Sequence, residues 1–356
     1  MNIKKVLIEC NHPTAPFHIR NGWLNVLQYC GFDCRLWNRQ TQNIFDAFYE
    51  FKPDLFIADS FSLSKDIIKC LLKYPDIKMA FYCSAWGELA DKIDSKTHPI
   101  VKVANEEKQN IEFLKKQINK PDLMFLHLTD KFVQPVIGKW ETELGINVLG
   151  MPTAADIFVY NKGTVKPEYQ CDIAYIGGYW QYKSRNLDKY IMPLCQYPFK
   201  YKTKIFGYSK WSCLNYLGSV KLEEQKDIFA STTICPNIHE SHSVDYGFDV
   251  VERIFKIPAS NGFVISDKVE EVCSLFNSDE IPTFSTYNEF IELIEYFLKN
   301  PNKRYSYITK TKNKVLLHHT YFHRIRNLLN KLELKKEADQ VWDKYCELMN
   351  KEKYFD

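Results

Sequence analysis

The sequence predicts an α/β protein of two domains, each built around a parallel β-sheet. Short apolar runs, rich in β-branched and aromatic residues, alternate with amphipathic helical segments along most of the chain. Repeated strand, helix and strand imply a parallel sheet with right-handed crossovers. With 356 residues the chain exceeds the length at which a single hydrophobic core stops growing, roughly 300 residues, so two cores are expected.

Nine apolar runs predict the strands, and those in the first half are continuous enough in apolar character to be buried on both faces. In the first half they are KVLIEC (5–10), DLFIAD (54–59), KMAFYC (78–83) and LMFLHL (123–128). In the second half they are CDIAYIGG (171–178), YKTKIFG (201–207), STTICPN (231–237), GFVISD (262–267) and IPTFS (281–285).

A turn-rich segment without periodicity, 150–170, interrupts this alternation and indicates a hinge. We therefore expect an N-terminal domain over 1–155, a hinge over 156–170 and a C-terminal domain over 171–320. The remaining residues, 321–356, predict charged amphipathic helices, for which packing back on the N-terminal domain is one option. Two such domains would face each other across a cleft lined by the carboxyl ends of both sheets.

The overall charge is close to balanced, with 47 Lys and Arg against 44 Asp and Glu, a net charge of +3. This balance gives no general attraction to nucleic acid or anionic lipid and leaves room only for a local basic rim. The 11 cysteines include no Cys-x-x-Cys pair, and the apolar run at the N-terminus is too short for a signal peptide or membrane span. The sequence thus predicts reduced thiols and a cytoplasmic location.

The strand CDIAYIGG runs into Gly177 and Gly178, and a loop with Lys183 and Arg185 follows before a helix expected near Asn186. Glycines let backbone amides approach an anion, and a helix N-terminus and two cations add positive charge. This combination suits a diphosphate, although it matches neither the dinucleotide fingerprint nor the P-loop spacing. The alternative is a tight turn carrying two solvated cations.

Polar residues crowd the loop and helix start that follow the strand STTICPN: Asn237, His239, His242, Asp245, Asp249, Glu252 and Arg253. The two histidines are three residues apart, a spacing that could serve a metal. Because no cysteine or carboxylate partner stands at a recognised spacing, we favour residues that line a polar site and expect no metal.

The segment ERIFKIPASNGFVISD (252–267) resembles the CgeB-like (spore-maturation-protein-B-like) glycosyltransferases, whose pattern is R-x-F-E-I-P-A-C-G-G-F followed by a hydrophobic run and Asp. CDIAYIGGY resembles the strand and turn upstream in that family. His319, Thr320, Tyr321 and Arg324 resemble its downstream hTy..R segment. The similarity covers about 171–329.

The resemblance implies a GT-B fold, two facing Rossmann-like domains in which the C-terminal one binds a nucleotide-sugar, most simply a UDP-sugar. Gly177, Gly178 and Tyr179 would line the diphosphate loop, and Arg253 would face the phosphates or the sugar. The strip 259–262, with Asn261 and Gly262, would pass close under the nucleotide.

One position departs from the family pattern, because Lys256 aligns with a glutamate whose carboxylate would accept hydrogen bonds from ribose hydroxyls, which an ammonium cannot do. Lys256 could point outward while Glu252 or Asp249 takes the carboxylate role, since residues three or four apart share a helical face. Alternatively, the donor differs from that of the family, or the activity is lost.

The first domain is expected to bind the acceptor and to supply a catalytic base. His12 and His18, in a loop predicted after the first strand, are the leading base candidates, because a neutral imidazole can take a proton from a hydroxyl. Asp59 and Asp130 follow strands and could act as base or acceptor ligand. Trp86 could stack on a sugar.

The favoured function is a metal-independent hexosyltransferase, EC class 2.4, that moves a sugar from a nucleotide diphosphate to a hydroxyl and needs no cofactor. A glycan, a lipid-linked sugar, a protein or a modified DNA base could be the acceptor. Two alternatives remain open: a nucleotide-sugar epimerase, which uses the same architecture, and a non-catalytic binding protein with a GT-B-like fold.

Overall fold

The chain divides into two compact units in the computed structural model, which describes residues 3–11, 15–60, 63–83 and 104–351. Unit 1 comprises Met1–Pro152 and Tyr321–Lys353, and unit 2 comprises Thr153–Thr320. The segment 156–170, expected as a hinge from its turn composition, is a packed part of unit 2. Its Ile157 and Tyr160 side chains are buried, and turn residues here make compact loops rather than a linker.

Each unit contains one parallel sheet. The strands of unit 1 are β1 (Lys5–Glu9), β2 (Asp33–Trp37), β3 (Leu55–Asp59), β4 (Lys78–Tyr82), β5 (Leu123–Leu126) and β6 (Asn147–Gly150), in the order β2-β1-β3-β4-β5-β6. The strands of unit 2 are β7 (Cys171–Ile176), β8 (Thr203–Phe206), β9 (Thr232–Asn237), β10 (Val264–Asp267) and β11 (Thr283–Phe284), in the order β11-β10-β9-β7-β8.

Helices connect the strands. They are α1 (Ala15–Tyr29), α2 (Ile44–Phe51), α3 (Lys65–Lys73), α4 (Ala104–Ile118), α5 (Asp130–Leu144), α6 (Gln181–Tyr190), α7 (Gln225–Ser231), α8 (Ser241–Tyr246), α9 (Arg253–Ala259), α10 (Glu270–Leu275), α11 (Tyr287–Lys299), α12 (Pro301–His318), α13 (Tyr321–Lys331) and α14 (Lys335–Lys351). The last two belong to unit 1, where Tyr29 of α1 packs edge to face on Phe322 at 5.9 Å between ring centroids.

Each of the nine predicted strands corresponds to an observed one, and the sequence missed β2 and β6. β2 is an edge strand with two exposed side chains, Asp33 and Arg35, so its apolar run is broken. β6 is the opposite edge and has only four residues. Edge strands need less apolar surface than central ones, and that weakens their signal in the sequence.

Aromatic side chains fill the sheet faces. In unit 1 the ring of Phe56 lies 5.2 Å from that of Phe48 and 6.4 Å from that of Phe81, both in edge-to-face geometry. In unit 2 Phe263 and Phe297 approach to 4.5 Å. Such buried pairs contribute about 0.5–1.5 kcal/mol each beyond the area that they bury.

Both sheets have the doubly wound order in which the second strand lies outside the first and the third lies on its other side. The chain therefore reverses direction across the sheet between β1 and β3 in unit 1 and between β7 and β9 in unit 2. Ligands of such sheets bind in the crevice beyond the carboxyl ends of these two strands. We call these places the switch points of the two units.

Gly150, the last residue of β6, fits a tightly packed position. A Cβ atom built there would lie 2.4 Å from the backbone nitrogen of Asp130 at the start of α5. Gly150→Ala is expected to destabilise the protein by about 1–3 kcal/mol, because neither backbone segment can move freely. Chemical unfolding measures the change. Gly138→Ala, inside α5 and facing only the flexible Gln134 side chain, is the matched control and should be neutral or stabilising. Equal effects of the two changes would contradict the packing argument.

Candidate functional site

Arg253, the first residue of α9, connects the two strands that diverge at the switch point of unit 2. Its Nη1 donates to the carbonyl oxygen of Ile176 at the end of β7, at 2.6 Å. Its Nη2 donates to the carbonyl oxygen of Ile238, just after β9, at 3.2 Å. The guanidinium also lies 4.5 Å from the centre of the Tyr175 ring. A fixed positive charge therefore lies in the crevice where a ligand of this sheet is expected.

A chain of buried polar side chains adjoins Arg253 through Asn237. Asn237 accepts from Arg253 Nε at 3.4 Å and donates to Ser266 Oγ at 3.0 Å. His239 is fully buried, and its ring Nδ1 and backbone N–H bond the Asp267 carboxylate at 2.6 and 2.9 Å. Asn237 and His239 were both expected to contact the donor; His239 instead orders the end of β9 together with Asp267. The sequence signal for Asp267 was a carboxylate directly closing a buried strand.

The glycine loop after β7 is crowded. A Cβ at Gly177 would lie 2.7 Å from Arg253 Nη1, and one at Gly178 would lie 3.0 Å from the Tyr208 ring. Beyond the loop, α6 begins at Gln181, five residues earlier than the helix start expected near Asn186. Lys183 is therefore in the first helical turn and not in a loop. The N-cap residue, Trp180, makes no side-chain cap in the described part of the chain, which suits an anion at this helix N-terminus.

Lys183 is the second cation at this crevice, and its side chain is buried. Burial lowers the pKa of the Lys183 ammonium, as does the nearby Arg253 guanidinium, while Tyr175 and Glu240 oppose the shift. Burial likewise raises the pKa of the Glu240 carboxyl, and Lys183 is first among the groups that oppose this. Glu240, which directly precedes α8, was not among the predicted site residues.

Asp249 lies in a loop and faces His242. Its Oδ2 is 2.9 Å from His242 Nε2, and its backbone N–H donates to Glu271 Oε2 at 2.8 Å. The Asp249 backbone is left-handed, with φ 75°. On its other side the His242 ring approaches Glu240, with Nδ1 3.6 Å from Oε2. His242 and two carboxylates thus form one chain beside the two cations.

Two predicted donor residues, Tyr179 and Arg185, bond to side chains outside the crevice. The Tyr179 hydroxyl donates to Asp188 at 2.7 Å, and this bond raises the pKa of Tyr179 to about 12. Arg185 pairs with Asp245 at 2.8 Å on the surface, where both side chains are more than half exposed. Neither side chain is directed at the crevice by these contacts.

The strip 259–262 lies at the amino ends of the strands, whereas the switch point is at their carboxyl ends. This differs from the expected position under the nucleotide. β10 begins at Val264, so Asn261 and Gly262 precede its amino end, while ligands bind at the carboxyl ends. A Cβ at Gly262 would lie 2.8 Å from the Ile257 side chain and 3.0 Å from the Phe229 carbonyl oxygen. Gly262 thus allows α9 and α7 to pack closely at the amino end of the sheet.

Lys256 does not point outward. Its side chain is buried, forms an ion pair with Glu252 one turn back and lies 4.7 Å from the centre of the Tyr160 ring. Burial alone would lower the pKa of Lys256, but the Glu252 carboxylate and Tyr160 raise it above the usual value. Glu252 therefore neutralises Lys256 inside unit 2. Glu252 and Asp249, the two carboxylates expected as substitutes for the glutamate of the CgeB-like pattern, are bonded to Lys256 and His242, respectively.

In unit 1, Asp59 ends β3 at the switch point and pairs with Arg20 of α1 at 2.6 Å. His18 lies in α1, where a loop was expected, and its ring packs on Phe17. Asp130 begins α5 and accepts from the Gly150 backbone N–H at 2.8 Å, so it joins α5 to β6. The two other predicted residues, His12 and Trp86, lie outside the described residues.

Glu9, which ends β1, was missed by the sequence analysis. It is 1% exposed, and its carboxylate accepts hydrogen bonds from the Asn11 amide and, at 3.0 Å, from the Asp59 backbone N–H. Burial and the charge of Asp59 raise the pKa of Glu9 to about 7. As with Asp267, the signal was a carboxylate closing an apolar strand.

Two further observations concern the described part of the chain. It contains no group of three His, Cys, Asp or Glu side chains that could hold a metal ion. None of its helices is both long and apolar enough to cross a membrane.

The two parallel-sheet units have the GT-B fold, as comparison with solved structures shows. The T4 phage enzyme BGT in complex with its UDP-glucose substrate has a TM-score of 0.58 and 10% identity, covering 95% of this chain and all of that one. An alpha-glucosyltransferase in complex with UDP and a 13-mer DNA containing an HMU base has a TM-score of 0.61 and 10% identity, covering 94% and 100%. A putative UDP-N-acetylglucosamine 2-epimerase from Listeria monocytogenes has a TM-score of 0.56 and 9% identity, covering 94% and 97%.

Residues 191–330 match the family model described as Glycosyl transferase-like. No curated protein sequence matches the chain. The region that carries α9 and the polar residues after β9 is thus glycosyltransferase-like in sequence, within a GT-B fold.

Removing one member of the buried pair of Glu252 and Lys256 should destabilise the protein strongly, whereas replacing both members should destabilise it little. Glu252→Gln leaves an uncompensated buried ammonium and is expected to cost about 3–5 kcal/mol of unfolding free energy. Adding Lys256→Met removes that ammonium and should recover most of the loss. Urea unfolding of both variants measures the difference. If the double variant is no more stable than the single one, the pair does not hold Lys256 in the way described.

Proposed function

We propose that the protein is a glycosyltransferase that moves a sugar from a UDP-sugar to a hydroxyl, with the donor bound by unit 2. The observation that carries the proposal is the pair of buried or fixed cations, Arg253 and Lys183, next to the N-terminus of α6 at a switch point. The similarity over 191–330 and the GT-B fold support the same reading. Membership of the CgeB-like group is the finer part of the proposal.

The reaction needs charge stabilisation at the leaving group. When the bond between the anomeric carbon and the phosphate oxygen breaks, negative charge develops on the diphosphate. Lys183, Arg253 and the amides of the first turn of α6 supply positive charge without an obligatory metal. Asn237 and the carbonyl oxygens of Ile176 and Ile238 hold Arg253 in position, so little reorganisation is required when charge develops.

The acceptor hydroxyl requires a base, and Asp59 is the strongest of the candidates in unit 1, because it ends a strand at the switch point. The acceptor class stays wide: a glycan, a lipid-linked sugar, a protein or a modified DNA base. One solved structure with the same fold contains UDP-glucose, and another contains UDP and a DNA with an HMU base. A modified base therefore stays among the candidate acceptors.

A nucleotide-sugar epimerase is the second candidate, favoured by one observation. His242 lies between Glu240 and Asp249, and elimination and re-addition at a sugar would need a carboxylate and an acid or base of this kind. Incubation with UDP-N-acetylglucosamine alone separates the two functions, because isomerised sugar without an acceptor would favour the epimerase.

Lys183 is expected to be required for nucleotide affinity. UDP at 100 times its dissociation constant should stabilise the protein by about 2.7 kcal/mol, or several degrees in unfolding temperature. In Lys183→Met this UDP-induced shift should fall by more than half, measured against the variant's own nucleotide-free temperature. Lys189→Met, on the exposed side of the same helix, is the control and should keep the full shift. Equal shifts in unfolding temperature in both variants would show that Lys183 does not contribute to UDP binding. The absence of any shift with UDP, GDP or CDP would contradict the donor site itself.

Donor turnover is expected to survive removal of divalent metals, because two side-chain cations and a helix N-terminus face the diphosphate. Release of UDP from UDP-glucose should change less than twofold after dialysis against EDTA. A loss of activity that Mn²⁺ or Mg²⁺ restores would show that the site needs a metal. The T4 phage enzyme has been crystallised with UDP and Mn²⁺, so both ions belong in the test.

A further inference from the structure

The switch point of unit 1 contains a cluster of charged side chains from three elements. Glu9 ends β1, Asp59 ends the neighbouring β3, and Arg20 comes from α1. Arg20 Nη2 donates to Asp59 Oδ1 at 2.6 Å, and Glu9 Oε2 accepts from the Asp59 backbone N–H at 3.0 Å. The Arg20 guanidinium is fixed against the Trp23 ring, 4.1 Å from its centre. Two carboxyl groups and one cation thus lie in the crevice where a ligand of this sheet is expected.

One donor in this cluster lacks an acceptor. Arg20 is 3% exposed, and its Nη1 has no hydrogen-bond partner among residues 3–11, 15–60, 63–83 and 104–351. A buried N–H without an acceptor costs free energy, so the position favours a ligand oxygen. Asp59, with a side chain that is 17% exposed, is the outer carboxyl group, and Glu9 is the buried one.

A hydroxyl group matches this arrangement, because it accepts one hydrogen bond and donates another. We propose that the hydroxyl to be glycosylated binds here, accepting from Arg20 Nη1 and giving its proton to the carboxyl pair of Asp59 and Glu9. This inference rests on the proposed function, for which it supplies the acceptor group and the base. Asp59 contacts the hydroxyl, and Glu9 is a positioning residue that acts through Asp59.

The proposed transfer moves one proton and one electron pair. The hydroxyl proton moves to the Asp59 carboxylate while the hydroxyl oxygen forms a bond to the anomeric carbon. The bond from that carbon to the phosphate oxygen breaks, and its electron pair leaves with the diphosphate. Two adjacent carboxylates repel one another, so the pair holds one proton readily, and Glu9 as the buried member favours the neutral form.

The pH dependence follows from the groups around Glu9. Burial and Asp59 raise its pKa to about 7, while the Asn11 amide and Arg39, which follows β2, oppose the shift. Below pH 7 the pair already holds a proton on Glu9 and is a poor acceptor for another. Above pH 7 Glu9 is ionised and the pair can take the proton, so turnover should rise through pH 7.

The test is the pH profile of UDP-glucose hydrolysis from pH 5.5 to 9, with water in the acceptor position. In the wild type kcat/KM should rise with a midpoint near pH 7. Glu9→Gln should lose this rise and be about tenfold slower or more at pH 8, and Asp59→Asn should lose about a hundredfold at all pH values. Glu337→Gln, which alters another buried carboxyl of unit 1 that accepts from the Ile3 backbone N–H, should keep the wild-type profile.

A second measurement does not depend on turnover. A raised pKa in the folded state means that Glu9 contributes stability below pH 4.5 that is lost as pH rises to about 7. The unfolding temperature of Glu9→Gln relative to wild type should therefore increase from pH 5 to pH 8. A constant difference, or an unchanged pH midpoint in the hydrolysis by Glu9→Gln, would overturn the role of Glu9. If UDP-glucose is not turned over while UDP still binds, the proposed transfer reaction fails, and the acceptor site fails with it.

Discussion

The site in unit 2 depends on the hydrogen bonds by which Arg253 joins the ends of β7 and β9. The chain leaves β7 towards one side of the sheet and leaves β9 towards the other side. Backbone carbonyl groups are therefore exposed at the carboxyl ends of these two strands. Arg253 satisfies the carbonyls of Ile176 and Ile238 together. This places the start of α9, requires glycine at Gly177 and leaves a positive charge in the crevice. An arginine serves here because its planar group donates in several directions at once.

Unit 1 has the same strand order and the opposite chemistry at its switch point. Its diverging strands end in carboxylates, Glu9 and Asp59, and the arginine comes from a helix on one side. Fixed cations suit the anionic leaving group of a nucleotide-sugar, and a carboxyl pair suits the removal of a proton from a hydroxyl. The contrasting charges of the two switch points match the two halves of the proposed transfer reaction.

Lys256 is the residue at which the sequence departs from the CgeB-like pattern. By alignment it replaced a carboxylate expected to bind ribose, and the sequence left open whether a neighbour took that role. The structure instead pairs Lys256 with Glu252 beside Tyr160, inside unit 2. Helical spacing correctly placed the two residues on one face, but spacing does not reveal whether that face is buried, and burial makes the partners inseparable.

The sequence by itself determined the two-domain α/β class and nine of the eleven strands in the described part of the chain, and it directed attention to the residues after β7 and β9. These follow from local apolar runs and from the rule that parallel sheets bind at their carboxyl ends. Only the tertiary structure decided which polar residues meet. Glu9 and Asp59 are 50 residues apart in the chain, yet they share a hydrogen bond. Asn261 and Gly262 are close in sequence to Arg253, yet they lie at the amino ends of the strands. The helix α9 runs from the carboxyl ends, where Arg253 lies, to the amino ends. Sequence distance carries no information about such contacts, since strand order and helix direction set them.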